Sequence, residues 1–268
     1  MSTEKNKVLE PLTPGGQSRS GQTMPELREG YALHFMANVT RMLKAAGALA
    51  FVAAAQWVLL VIVAETQYPN YSIQHNYLSD LGATCHRGLL LTPCVIVSPS
   101  SYIWDTTLFL MGLLSLVSAI LFYGATRKKG FSILFGIFGL GALIAGAVPE
   151  TLLSVHELAS NASFLGGSTA AIVAFWFLKS PLKYLSVALG LFSFASLIPL
   201  TFEGPFFRWN GIFGLGLGGI ERMVVYPIVI WEIAFGAYLM SGALSTSRAE
   251  EAKPTEECVP QLPPRHVA

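Results

Sequence analysis

Charge is scarce in this chain: only 12% of its 268 residues are charged, against 53% hydrophobic. A typical globular domain carries roughly twice that share of charge. A disordered chain and almost any soluble enzyme are thereby excluded. Cysteine is sparse too, at three residues, which rules out a disulfide-dense miniprotein. There is no basic excess, because 17 Lys and Arg meet 16 Asp and Glu. Nothing in that balance points to nucleic acid as a partner. The chain also lacks a phosphate-binding loop with its Lys, a GxSxG nucleophile elbow and the HExxH zinc pair. What remains is the polytopic membrane protein.

A helix needs about 20 mainly apolar residues to cross a bilayer. Six stretches qualify, with spans at about 45–65, 103–125, 131–149, 153–178, 182–200 and 221–244. Inside a membrane each must be helical, since unpaired backbone groups find no water there. The expected fold is therefore an all-α integral membrane bundle of six transmembrane helices, spanning residues 41–244. Residues 1–40 and 245–268 are polar, rich in Gly, Pro, Ser and Glu, and read as disordered cytoplasmic segments. No cleavable signal peptide is expected, so the first helix would serve as an uncleaved anchor. Fourteen of the 17 Lys and Arg fall on one side of these spans, leaving Arg87, Arg208 and Arg222 on the other. The positive-inside rule then places both termini in the cytoplasm, an N-in/C-in arrangement in the cell membrane.

This orientation puts the unusual residues on the outer side. The first outer loop, roughly 65–102, is long, and its tyrosines and apolar LLLTPCVIV run argue for an ordered extracytoplasmic cap. Cys85 and Cys94 lie in it with eight residues between them. A disulfide there is expected, worth about 2–3 kcal/mol on the chain-entropy model. Asn70-Tyr71-Ser72 is a glycosylation sequon on the same side. Ionisable residues sit at nearly every outer helix end: Glu65, Asp105, Glu150, His156, Glu157, Glu203, Glu221 and Arg222, with His75, Asp80 and His86 in the loop. They are placed to converge on one polar site, or to cap and pair locally. His75, Asp80, His86, His156 and Glu150 include ligand types that zinc uses, yet no tightly spaced pair occurs, and metal content stays open. Only Glu232 lies deep within a span, where charge is costly and an ionisable group marks function by default.

Glycine and small residues suggest packing. GIFGLG occurs at 136–141 and again at 211–216, a repeat compatible with an inverted duplication of three helices each. His156, Ser160, Ser163, Gly167, Ala171 and Ala174 follow helical spacing along one face, a seam for close approach.

The motif Tyr68-Pro69-x-Tyr71-Ser72, followed by Asn76-Tyr77-x-Ser79-Asp80-Leu81-Gly82, resembles the first-loop signature of the domain of unknown function 998 family. Pro149-Glu150, His156, Glu221-Arg222 and Tyr226-Pro227 extend the likeness over about residues 45–242. That family consists of six-helix membrane proteins without an assigned activity. The Ser79-Asp80-x-Gly82 core is similar, more faintly, to the membrane group containing the damage-regulated autophagy modulators, which is linked to lipid handling. Here Ala83-Thr84-Cys85 follows, where that group has Pro-Pro-Glu.

Three functions stand open. A lipid-handling protein would use Asp80, His156 and Glu150 as catalytic acid/base or metal-binding groups. Asn76, Ser79, Glu221 and Arg222 would bind ligand, with Arg222 neutralising a phosphate head. A proton-coupled transporter or small-solute binder would use Glu232. A non-catalytic scaffold would spend Asp80 on capping loop N–H groups. Membrane lipids are the expected partners, self-association into a homo-oligomer is left open, and no cofactor is identified.

Overall fold

Six apolar runs become six helices because a chain without polar partners can satisfy its backbone only within itself. A computed structural model describes residues 24–85, 94–148, 150–201 and 214–244. Its helices are α1 (Met24–Gln67), α2 (Ser100–Thr126), α3 (Lys129–Ala147), α4 (Leu153–Val173), α5 (Leu182–Thr201) and α6 (Gly216–Met240). All six are long and apolar enough to cross a membrane. The expected all-helical six-span fold is thus found. Two boundaries differ from expectation. α1 is helical from Met24, so residues 24–40 are not the disordered segment expected. α6 begins at Gly216, which sets Glu221 and Arg222 in its second turn.

Each helix packs on its neighbours in sequence, and α6 closes the ring against α1 while also touching α4. Glycines permit the tightest crossings. A Cβ on Gly112 of α2 would lie 2.1 Å from the Leu143 amide nitrogen of α3, and Gly139 returns the fit against Leu116. The first GIFGLG copy therefore serves helix packing; part of the second lies outside the described residues. Serines stitch neighbouring helices: Ser118 donates to the Ala46 carbonyl (2.7 Å), Ser163 to Phe138 (3.1 Å) and Ser193 to Val224 (2.7 Å). Gln56 of α1 and Thr107 of α2 exchange two bonds, 3.0 and 2.6 Å. Such polar contacts matter in lipid, where no hydrophobic driving force holds helices together.

Two ends of the bundle differ in charge. At one, short turns join α2 to α3 and α4 to α5, and their cations rest on aromatic rings. Lys128 lies 5.2 Å from the Phe177 centroid and Lys183 lies 4.8 Å from that of Tyr184. At the other, the long first connection folds down over the helix ends. Leu78, Leu81 and Ala83 are buried there, Ser100 donates to the Leu81 carbonyl (3.1 Å), and Tyr68 bonds Thr84 through their hydroxyls (2.5 Å). Thr84 and Val95 pair as a short antiparallel bridge, and the expected Cys85–Cys94 disulfide closes the segment. His86 and Arg87, between these cysteines, lie outside the described residues, as do Glu203, Arg208 and Cys258.

Candidate functional site

The first loop is locked to α6 by backbone contact and by one buried cation. Gly218 lets α6 approach so closely that a Cβ there would sit 2.0 Å from the Asn76 carbonyl oxygen and 2.5 Å from that of Ile73. One helical turn later, Arg222 is 3% exposed. Its guanidinium donates to the carbonyls of Ile73 (3.2 Å), Asn76 (3.3 Å) and Gly218 (2.9 Å). It also donates to Glu65 Oε1 and to the Tyr71 hydroxyl, both at 2.7 Å. Burial pushes the Tyr71 phenol above its ordinary range. The hydroxyl therefore keeps its proton and donates it to the Tyr77 carbonyl (2.9 Å). Arg222 faces the loop, with Nη1 and Nη2 engaged there and Nε buried without a hydrogen-bond partner among the described residues. The terminal nitrogens that the sequence reading assigned to a phosphate head meet protein acceptors here.

Asp80 is likewise occupied by the loop. Its Oδ2 accepts from the Tyr77 amide (2.9 Å) and from Asn76 Nδ2 (3.0 Å), while Asn76 Oδ1 accepts from the Ser72 amide (3.0 Å). Neither Asp80 nor Asn76 lines a described cavity at this end. The motif acidic residue caps backbone donors, as Asp does in turns.

Beside this lock, a cavity of about 270 Å³ opens between α4, α6 and the loop. Its wall holds Tyr77, Ser79, Glu150, His156, Glu157, Ser160, Asn161, Phe164, Leu200 and Glu221. A narrow apolar extension of about 40 Å³ continues inward past Trp57, Trp104, Leu108, Met111 and Val225. Ser79, His156, Ser160, Phe164 and Glu221 border both spaces. Expected site residues Glu150, His156, Ser79 and Glu221 are thus brought together, and Asp80, Asn76 and Arg222 stand in the neighbouring lock.

His156 is 6% exposed, and its Nδ1 lies 2.8 Å from the Val148 carbonyl oxygen. A carbonyl only accepts, so Nδ1 carries a proton. Nε2 has no hydrogen-bond partner among the described residues. No hydrogen bond joins His156 to Ser79 or Ser160 there, so an assembled nucleophile–base pair is not present in the described residues. Glu221 sends Oε2 to the Leu78 amide, linking the cavity wall to the loop. Among the described residues no group of three or more His, Cys, Asp or Glu is placed to hold a metal ion.

A family model described as Protein of unknown function (DUF998) matches residues 51–238. The chain belongs to the DUF998 family. The matched region contains the whole lock and every described residue of the cavity. No curated protein and no solved structure matches this DUF998 chain significantly. It is a multi-pass membrane protein, on the combined grounds of family and six apolar helices.

Glu232 stands apart from this site. It is fully buried, its Oε1 accepts from Ser115 (2.6 Å), and its Oε2 has no partner among the described residues. None of the five described cavities reaches it. Sequence reasoning did not single out Phe164, Asn161, Trp57 and Trp104 as wall residues. Phe164 and Asn161 carry a signal nonetheless, since they follow His156 and Glu157 at helical spacing. The two tryptophans carry none.

Proposed function

We propose that this DUF998 protein holds an amphipathic, lipid-like molecule in the cavity between α4, α6 and the first loop. The supporting observation is the junction of two spaces of opposite character. Glu150, His156 and Glu157 surround the wide part, and hydrocarbon side chains surround the narrow extension. A polar head in the first and the start of an apolar chain in the second match that division. The excess of Lys and Arg at the opposite end favours an outer-leaflet position for the cavity, with both termini cytoplasmic and the cell membrane as the site. The transport reading through Glu232 lacks a supporting path, because no described cavity descends to that residue.

Ser160 borders both spaces, so Ser160→Phe would plug their junction while leaving the lock untouched. Native mass spectrometry of purified protein is expected to detect bound lipid on the wild type and lose it on this variant. Circular dichroism and elution volume would stay unchanged. Equal lipid on both proteins would contradict the proposal, and no bound lipid on either would favour a scaffold.

A further inference from the structure

We infer that the head group this cavity takes is uncharged and hydroxylated, a glycerol or a sugar on an apolar chain. The inference rests on the amphiphile reading above and narrows it. The carboxylates of the wall are already engaged. Glu150 and Glu157 each have a partner within the protein, and Glu221 accepts from the Leu78 amide. No Lys or Arg lines the space among the described residues, so an ionised phosphate finds no counter-charge there. A cationic head meets carboxylates that are already partnered.

Four other polar groups of the wall differ from these. The Ser79 and Ser160 hydroxyls, the Asn161 amide and His156 Nε2 have no hydrogen-bond partner among the described residues. A helical serine can return its proton to the carbonyl four residues earlier. Ser115, Ser132 and Ser168 do so, at 2.7, 3.0 and 2.7 Å, and Ser160 does not. His156 is more than nine-tenths buried, and its Nδ1–H is committed to Val148. In the neutral ring Nε2 is then an acceptor, and a buried polar atom is rarely left without a partner. The hydroxyls and the amide donate as well as accept, whereas Nε2 only accepts. A head that meets all four must therefore donate and accept at several points. Glycerol and sugar hydroxyls do both, while an ionised phosphate only accepts and an ammonium only donates. Ser79, Ser160 and His156 also border the apolar extension, so they meet the hydroxyls nearest the chain.

The test uses the full chain in a polyoxyethylene detergent, which carries neither sugar nor charge. Tetradecyl glucoside, tetradecanoylglycerol, tetradecyl phosphate, tetradecylamine and a fully O-methylated tetradecyl glucoside are added in turn at equal mole fraction. Native mass spectrometry reads the bound fraction, and glucose alone separates recognition of the head from recognition of the chain. The better of the two polyols is expected to bind at least about tenfold tighter than the phosphate, the amine or the methylated glucoside, and it names the head. Its binding should be lost in Ser160→Phe and fall at least about tenfold in the double variant Ser160→Ala, Asn161→Leu, which removes hydrogen-bonding groups without plugging the space. Phosphate, amine or methylated glucoside binding as well as the better polyol, still lost in Ser160→Phe, would overturn the inference and leave the amphiphile reading standing. Unchanged polyol binding in the double variant would also overturn it. Glucose binding as tightly as tetradecyl glucoside would show a small-polyol site and overturn the amphiphile reading. If no probe distinguishes wild type from a folded Ser160→Phe, the cavity reading itself fails.

Discussion

Arg222→Met is expected to be the most damaging single substitution in this chain. Methionine fills much of the volume of the arginine stem but supplies no donor. Three backbone carbonyls and the Tyr71 hydroxyl would lose their shared partner, and Glu65 its counter-ion. Removing one member of a buried ion pair typically costs about 3–5 kcal/mol, because the other charge stays behind in a poor solvent. Thermal unfolding in detergent should show a Tm lower by roughly 10 °C, and protease should cleave the first loop while sparing the helices. Arg222→Lys is expected to rescue little, since an ammonium cannot match the forked guanidinium that reaches five acceptors. A variant as stable as wild type, with an intact loop, would show that the lock is not held by this cation.

Gly218→Ala should come close behind, for a steric reason. The added methyl would meet the Asn76 and Ile73 carbonyl oxygens far inside contact distance, and backbone on both sides leaves no flexible end to yield. Overpacking of this kind costs typically about 1–3 kcal/mol, occasionally more. The loop would have to lift, and it would carry away two of the acceptors that Arg222 uses. The double variant is therefore expected to lose less stability than the two single losses together, as residues sharing one junction do. Simple additivity in thermal or chemical denaturation would mean that the two residues act at separate places.

The six helices were legible because membrane length and apolar composition are properties of contiguous sequence. The start of α1 was not, since residues 24–44 are too polar to register as a span yet contain many helix-forming residues. The seam from His156 to Ala174 was also readable, because positions three and four apart share a helix face. His156, Ser160 and Phe164 follow the same rule into the cavity wall.

Arg222 marks where such reading stopped. Sequence places it beside Glu221 and so assigns both to one ligand site. Consecutive helix residues are turned about 100° apart, however. Glu221 meets Leu78 and the cavity, while Arg222 turns to Glu65 and Tyr71. Which of the two faces the loop depends on the rotation of α6 in the bundle, and that is decided by tertiary packing. Asp80 is a similar case. An acidic residue in a loop motif has the chemistry of a catalyst and of a cap, and only the position of the Tyr77 amide distinguishes them.

The central claim concerns what fills the space between α4, α6 and the loop. The most direct test is a high-resolution cryo-electron microscopy map of the protein in lipid nanodiscs. The account predicts an elongated density with its head beside Glu150, His156 and Glu157 and its tail toward Trp57 and Trp104. A cavity holding only water, or one closed by α4 packing directly on α6, would contradict it.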